Sequence, residues 1–181
     1  DVHRVTAFSG SPHGREGQPL DWVTPEMLTD YPMPAADRPI INAIKLPDTY
    51  LITGPDPADS VSFLRRLELA LQGGERLVQL RAPELDREAF IGLAHQALAR
   101  CRAQGAVLLL NGDPDWVKLT GVDGVHLNSR RLMALETRPL DSAKWVGASC
   151  HDACELRHAQ RLGLDFAVLS PVMPTASHPG A

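Results

Sequence analysis

From residue 46 onward the chain repeats one figure. A short apolar run is followed by a turn, and then by a stretch with apolar positions at helical spacing. The runs Tyr50-Leu-Ile-Thr53, Leu77-Val-Gln-Leu80, Val107-Leu-Leu-Leu110, Gly124-Val-His-Leu127, Trp145-Val-Gly-Ala148 and Phe166-Ala-Val-Leu169 predict strands. Several are apolar without alternation, as strands covered on both faces are. Helices fill the gaps. Asp59 caps one that ends at Gly73-Gly74, and Phe90, Leu93, Ala94, Ala97, Leu98 and Cys101 share one helical face. Asp152-x-x-Glu155 opens another in capping-box style, with Gly163 past its end.

Strand and helix in strict alternation imply a parallel α/β sheet. Two architectures satisfy the pattern. One is a (β/α)8 barrel of which six of the eight strands are present; the other is a complete doubly wound open sheet. Periodicity alone leaves both open. No internal repeat and no low-complexity segment is visible.

Residues 1–47 have a different texture, rich in Pro and Gly. They predict a strand over 1–8, a short strand over Leu20-Asp-Trp-Val23, a short helix from Thr24 with Pro25 in its first turn, and a helix from Arg38 to Lys45. The chain opens directly in a strand-like run without Met, which gives the expectation that a segment precedes it. The expected modules are therefore 1–47 and 48–181.

Composition narrows the function. Hydrophobic residues make up 44% and charged residues 22% of the 181 positions, which suits a packed globular core. The net charge is -4 and no basic run exists, so a nucleic-acid polymer is not an expected partner. No stretch approaches the roughly 20 apolar residues that span a membrane. Cys101, Cys150 and Cys154 form no disulfide framework, so a reducing cytoplasm is the expected compartment. Small phosphorylated ligands remain the expected partners, since a few cations and helix N-termini are enough to bind them. A homo-oligomeric state is also among the expectations.

In parallel α/β folds ligands meet the carboxyl ends of the strands. There the sequence places Gln79-Leu-Arg81, Asn111-Gly-Asp113, Asp123-Gly-Val-His-Leu127, Ser149-Cys-His151 and Ser170-Pro-Val-Met-Pro-Thr175-Ala-Ser-His178-Pro-Gly180. Arg81 has the planar fork that suits phosphate, and His151 is a candidate acid or base. The competing readings are a rim salt bridge for Arg81, a tight turn for Asn111-Gly112 and a helix cap for Ser149.

Tyr50-Leu-Ile-Thr53, Gln79-Leu-Arg81, Asp123-Gly-Val-His-Leu127, Gly147-Ala-Ser-Cys-His151 and Pro171-x-x-Pro-Thr175-x-Ser-His-Pro-Gly180, in that order and spacing, resemble thiamine-phosphate synthase and its relative TenI over roughly residues 48–181. The resemblance implies the barrel, and hence an expectation that the chain stops before strands seven and eight. It implies an enzyme that joins a pyrimidine diphosphate to a thiazole phosphate and releases pyrophosphate, with magnesium as cofactor. Gln79, Arg81, Asn111, Ser149, Thr175 and His178 match family positions around the ligand. Pro83, Gly112 and His178 stand where the synthases carry Lys, Asp and Lys, and Asn128-Ser-Arg-Arg131 replaces a stretch holding a second metal-binding Asp. Asp113 is left as the metal-ligand candidate. TenI-type relatives share such losses, and some are thiazole tautomerases with a His near the Ser-x-His motif. The resemblance thus makes His151 the leading catalytic candidate.

The first 47 residues resemble the end of a MutT-type Nudix hydrolase, through Gly14-Arg-Glu-Gly-Gln-Pro19, Trp22 and Pro34-Ala-Ala-Asp-Arg-Pro-Ile40. That family hydrolyses oxidised nucleoside triphosphates such as 8-oxo-dGTP with magnesium. The Nudix box itself is not in these residues. Asp37 stands where the family has a base-reading Asn, so a nucleotide is a further candidate ligand; the alternative is that Asp37 caps the helix that follows. The combined expectation is a Nudix diphosphatase whose attached barrel binds a phosphorylated ligand. The alternatives are an active synthase or tautomerase barrel, and a non-catalytic sensor or scaffold.

Overall fold

The computed structural model describes residues 3, 5–34, 37–54 and 59–172. Two compact units form, Asp1–Leu46 and Pro47–Ala181.

In the first unit a 3-10 turn, Met27–Thr29, precedes helix α1, Arg38–Lys45. Helix α1 lies where its N-terminal Pro and its apolar stripe Ile40, Ile41 and Ile44 place it. The strands expected over 1–8 and 20–23 do not form among the described residues. Those stretches have no strand beside them here, and extended backbone counts as a strand only when a ladder pairs its N–H and C=O groups. The helix expected from Thr24 is cut to one turn, because Tyr31-Pro32 and Met33-Pro34 bias the chain away from helical backbone. Gly14-Arg-Glu-Gly-Gln18 closes as a tight turn. Gly17 has φ +76, its N–H donates to the Gly14 carbonyl at 3.3 Å, and a Cβ on Gly14 would lie 2.2 Å from the Gln18 carbonyl oxygen. Phe8 stacks on Trp22 with centroids 5.7 Å apart.

The second unit contains β1 (Leu51–Ile52), α2 (Ser60–Gln72), β2 (Leu77–Leu80), α3 (Arg87–Ala103), β3 (Val107–Leu110), α4 (Asp115–Thr120), β4 (Gly124–Leu127), α5 (Ser129–Met133), β5 (Trp145–Cys150), α6 (Ala153–Arg161) and β6 (Phe166–Leu169). All strands are parallel and their spatial order is their chain order. That order decides between the two architectures. A doubly wound sheet reverses direction at a switch point, whereas a barrel winds one way only.

The sheet is also curled. Flat spacings of about 4.8 Å would put the first and sixth strands about 24 Å apart. Yet the rings of Tyr50, at the start of β1, and Phe166, in β6, meet edge to face with centroids 5.4 Å apart. The described chain is therefore a six-stranded portion of a barrel wall.

Helices cover the outer face. Val78, Leu80, Leu108, Leu110, Val125, Leu127, Val146, Ala148 and Cys150 pack there against Phe63, Leu64, Leu67 and Leu71 of α2 and all six apolar positions expected of α3. The caps form as the sequence predicts. Asp59 accepts from the Val61 N–H at 3.0 Å, and Asp152 accepts from Cys154 at 2.7 Å and Glu155 at 2.9 Å. Gly163 takes a left-handed φ of +64 past α6.

Below the strands one guanidinium ties the wall together. Arg138 donates to the carbonyls of Leu140, Lys144 and Gly163, and pairs with Asp165 at 2.6 Å. The same Asp165 oxygen accepts the Val146 N–H at 2.7 Å. Removing one side of a largely buried, fully bonded pair leaves the rest unsatisfied. Arg138→Ala is expected to cost roughly 2–3 kcal/mol in urea unfolding, with little recovery in Arg138→Lys, which lacks the fork. A loss below about 0.5 kcal/mol would place Arg138 among ordinary surface ion pairs.

Candidate active site

The inner face of the curled sheet is polar at its centre. Strand residues on this face follow from the register: Gln79 beside Leu109, Leu109 beside Gly124, His126 beside Gly147, Gly147 beside Phe166 and Ser149 beside Val168. Five side chains there form one hydrogen-bonded chain. The Asn111 amide donates to Gln79 Oε1 at 2.8 Å. Gln79 Nε2 donates to the Tyr50 hydroxyl at 3.1 Å. The Tyr50 hydroxyl lies 3.1 Å from His126 Nδ1, and His126 Nε2 lies 2.9 Å from Ser149 Oγ.

The chain is buried at Gln79 and His126 and half-buried at Tyr50, Asn111 and Ser149. Gln79 is 2% exposed and His126 1%. Burial penalises charge. It pushes the Tyr50 hydroxyl well above its ordinary pKa and His126 down to about 4. Both are therefore neutral at neutral pH, a phenol and an imidazole. Phe166 closes the floor beside them. Its ring packs on Tyr50 and tilts against His126, and only a glycine at 147 admits it, since a Cβ there would lie 2.4 Å from the ring.

At the mouth, Thr53 grips the Arg81 backbone, accepting from its N–H at 2.9 Å and donating to its carbonyl at 3.2 Å. This fixes the chain on either side of the strand ends and leaves the Arg81 guanidinium without a hydrogen-bond or ion-pair partner among the described residues. The rim salt bridge weighed for Arg81 is thus not made there. His151 follows β5 and is exposed. Its Nδ1 lies 2.5 Å from the Ser170 carbonyl, and a carbonyl only accepts, so Nδ1 carries a proton. Glu155 accepts the His151 backbone N–H at 2.7 Å and the Ser129 hydroxyl, tying the β5 loop to α5 and α6.

The structure thus brings Gln79, Asn111 and Ser149 together and puts Arg81 and His151 on the strand ends above them. Ser149 caps no helix; it faces inward within β5. Thr175 and His178 lie outside the described residues. Asp113 is exposed, and its Oδ1 accepts the Asp115 N–H at 3.0 Å at the start of α4. Among the described residues no three His, Cys, Asp or Glu side chains converge on a common point. They therefore form no protein-only metal cage; Asp113 supplies one exposed carboxylate, and a magnesium ion held by one or two carboxylates together with water and substrate phosphates needs no such cage. In the first unit, Asp37 precedes α1 but makes no side-chain cap bond, so the capping alternative fails; its backbone N–H donates to the Pro34 carbonyl at 2.9 Å.

Tyr50 and His126 lie within the quoted motifs Tyr50-Leu-Ile-Thr53 and Asp123-Gly-Val-His-Leu127, but sequence reasoning gave neither a place in the site. A usable signal was parity. His126 neighbours Gly147 in the register, and Gly147 shares its strand face with Ser149.

The depressed His126 pKa has a consequence for stability. An unfolded chain takes up a proton near pH 6.5, while the folded one resists until about 4. The unfolded state thus binds more protons in that window, so stability is full above it and falls as pH drops from 6.5 to 4. The loss attributable to His126 is about 3 kcal/mol. The drop in unfolding free energy between pH 7 and pH 4 is expected to shrink by roughly that amount in His126→Gln. An equal drop in both proteins, measured by urea titration, would show that His126 is not buried neutral.

Comparison with known proteins follows this geometry. Residues 49–181 match the family model described as thiamine monophosphate synthase. A thiamine-phosphate synthase of Thermus thermophilus is 37% identical over 132 residues, covering 72% of this chain and 64% of the relative. One of Thiobacillus denitrificans is 36% identical over 134 residues, covering 73% and 63%. The chain thus spans slightly under two thirds of the length of these relatives. Among solved structures, thiamine phosphate pyrophosphorylase from Pyrococcus furiosus superposes with a TM-score of 0.59 at 21% identity, over 71% of this chain and 62% of that one, which supports the barrel fold. The family match lies in the barrel unit and leaves residues 1–46 outside it. Through its barrel unit, the chain belongs to the thiamine monophosphate synthase family.

Proposed function

We propose that the barrel unit is a thiamine-phosphate-synthase-type active site that holds a phosphorylated heterocycle. The reading rests on the polar chain from Asn111 to Ser149 lying beneath Arg81, whose guanidinium has no partner among the described residues. A ring stacked over Phe166 and Tyr50 would find amide, imidazole and hydroxyl groups at its edge. Its phosphate or diphosphate would reach the mouth, where Arg81 offers a bidentate fork. In the coupling reaction a pyrimidine diphosphate and a thiazole phosphate combine and diphosphate leaves. Arg81 would then meet charge as it builds on the leaving group, the interaction that contributes most when prepared in advance. A magnesium ion would add to that stabilisation, but the described side chains do not cradle one, and no step here is assigned to it. This reading puts the chemistry in the barrel rather than in a Nudix half.

A second reading is favoured by one observation. The His151 Nδ1–H is anchored on the Ser170 carbonyl, so in the neutral ring Nε2 is the basic nitrogen, placed at the mouth to move a proton on a thiazole. This is the tautomerase alternative. For residues 1–46 we keep, separately, the proposal that the unit is the end of a MutT-type fold, carried by the Gly14–Gln18 turn, Trp22 and Asp37 as a base contact.

Calorimetry with thiazole phosphate, pyrimidine diphosphate and thiamine phosphate, followed by product analysis, tests these readings. Arg81→Ala is expected to weaken the diphosphate at least tenfold and to leave the unphosphorylated pyrimidine unaffected. Binding of none of the three by the wild-type protein would overturn the proposal. His151→Ala is expected to abolish thiazole isomerisation while leaving coupling measurable, and unchanged isomerisation in that variant would remove His151 from the mechanism. This chain alone is expected not to hydrolyse 8-oxo-dGTP, since it lacks the Nudix box; magnesium-dependent hydrolysis in a phosphate-release assay would contradict that.

A further inference from the structure

We propose that Tyr50 is a positioning residue that acts through His126 to make Ser149 a hydrogen-bond donor, so that the ligand atom meeting Ser149 is an acceptor. Asn111 Nδ2 donates to Gln79 Oε1, and Gln79 Nε2 donates to the Tyr50 oxygen. The Tyr50 hydroxyl therefore accepts from Gln79 and has one proton to give. Its remaining neighbour on this chain is His126 Nδ1, 3.1 Å away. An imidazole nitrogen that accepts cannot also carry the proton, so the neutral ring is protonated at Nε2. Burial keeps the ring neutral down to about pH 4, which removes the doubly protonated form.

The Nε2–H then points at Ser149 Oγ, 2.9 Å away. Ser149 accepts, and its own proton is left without an acceptor among the described residues. It is free for a ligand. The polarity of Ser149 is thus set four residues away along the chain, by the orientation of the Asn111 and Gln79 amides. With Tyr50 absent, His126 could take the opposite tautomer, accept from Ser149 at Nε2 and consume the proton the ligand needs.

Tyr50→Phe isolates this role. It keeps the ring that packs on Phe166 and His126 and removes only the hydroxyl. Nitrogen NMR of labelled histidine in the ligand-free protein reads the tautomer directly. The wild-type His126 is expected to show a protonated Nε2 and a bare Nδ1, and Tyr50→Phe is expected to lose that single state. A wild-type ring protonated at Nδ1 overturns the proposal, whether or not Tyr50→Phe folds. An unchanged tautomer in a folded Tyr50→Phe protein also overturns the role of Tyr50.

The inference about the ligand acceptor rests on the barrel holding a ligand, and binding tests it apart from the tautomer. Thiazole phosphate and pyrimidine diphosphate serve as probes. Whichever probe the wild type binds is expected to lose roughly tenfold in affinity in Tyr50→Phe and similarly in Ser149→Ala, the two losses being non-additive in the double variant. A shifted tautomer with full affinity, or additive losses, would overturn the coupling from Tyr50 to Ser149. If neither probe binds the wild type while the tautomer behaves as expected, the functional reading fails and the assignment of the proton chain stands.

Discussion

A phenol hydroxyl buried inside a barrel wall is the constraint on which this site depends. The Tyr50 hydroxyl is strongly desolvated, and left unmet there it would cost on the order of 1–3 kcal/mol. It is met on one side by Gln79 and on the other by His126. Each of those partners is buried and needs a second partner in turn, which Asn111 and Ser149 supply. No described side chain of the unit leaves a buried donor or acceptor unmet. The chain joins the first strand region to the fifth strand, so satisfying it requires the sheet to curl. A flat sheet would break it.

The curl in turn has a packing condition. Phe166 must reach over the floor to Tyr50, and the space it uses is the space a side chain at 147 would take. Gly147 is therefore tied to the polar site although it bonds to nothing in it. Gly124 plays a similar part lower in the wall, where a Cβ would lie 2.0 Å from the Trp145 carbonyl oxygen. Gly147 thus makes room for a neighbouring strand's side chain, and Gly124 for a neighbouring strand's backbone.

How much of this could be read from the chain differs by region. The strands of the second unit were legible because both faces are covered: Val107-Leu-Leu-Leu110 is apolar throughout and starts and stops where the apolar run does. Capping was legible at Asp59 and Asp152, since it is a local interaction of a few residues. The first unit failed where it depended on a partner. Leu20–Val23 has the composition of a strand and no ladder beside it among the described residues. Gln79, Asn111 and Ser149 were legible as polar residues at or near strand ends. Tyr50 and His126 were not, because Tyr50 opens a strand and His126 sits between Val125 and Leu127, both fully buried. Their meaning lies in a contact across 76 positions of sequence.

The division of labour that results is physical. The inner chain is neutral and hydrogen-bonded from end to end, and so suits the recognition of a heterocycle edge on the proposed reading. The mouth carries Arg81 and the exposed His151, and so suits charge and proton movement. Placing a permanent cation beside His126 would favour neither task, since burial holds that ring neutral and a nearby positive charge would only reinforce this. Separating the two along the strand direction, by about 3.3 Å per residue, would let a ligand of the proposed class touch both, with its flat ring below and its phosphorylated arm above. A scaffold that merely needed stability would gain more from apolar side chains in the place of Gln79 and His126, since a buried polar network at best offsets its own desolvation. A fully satisfied polar interior open to the strand ends is what a binding site requires.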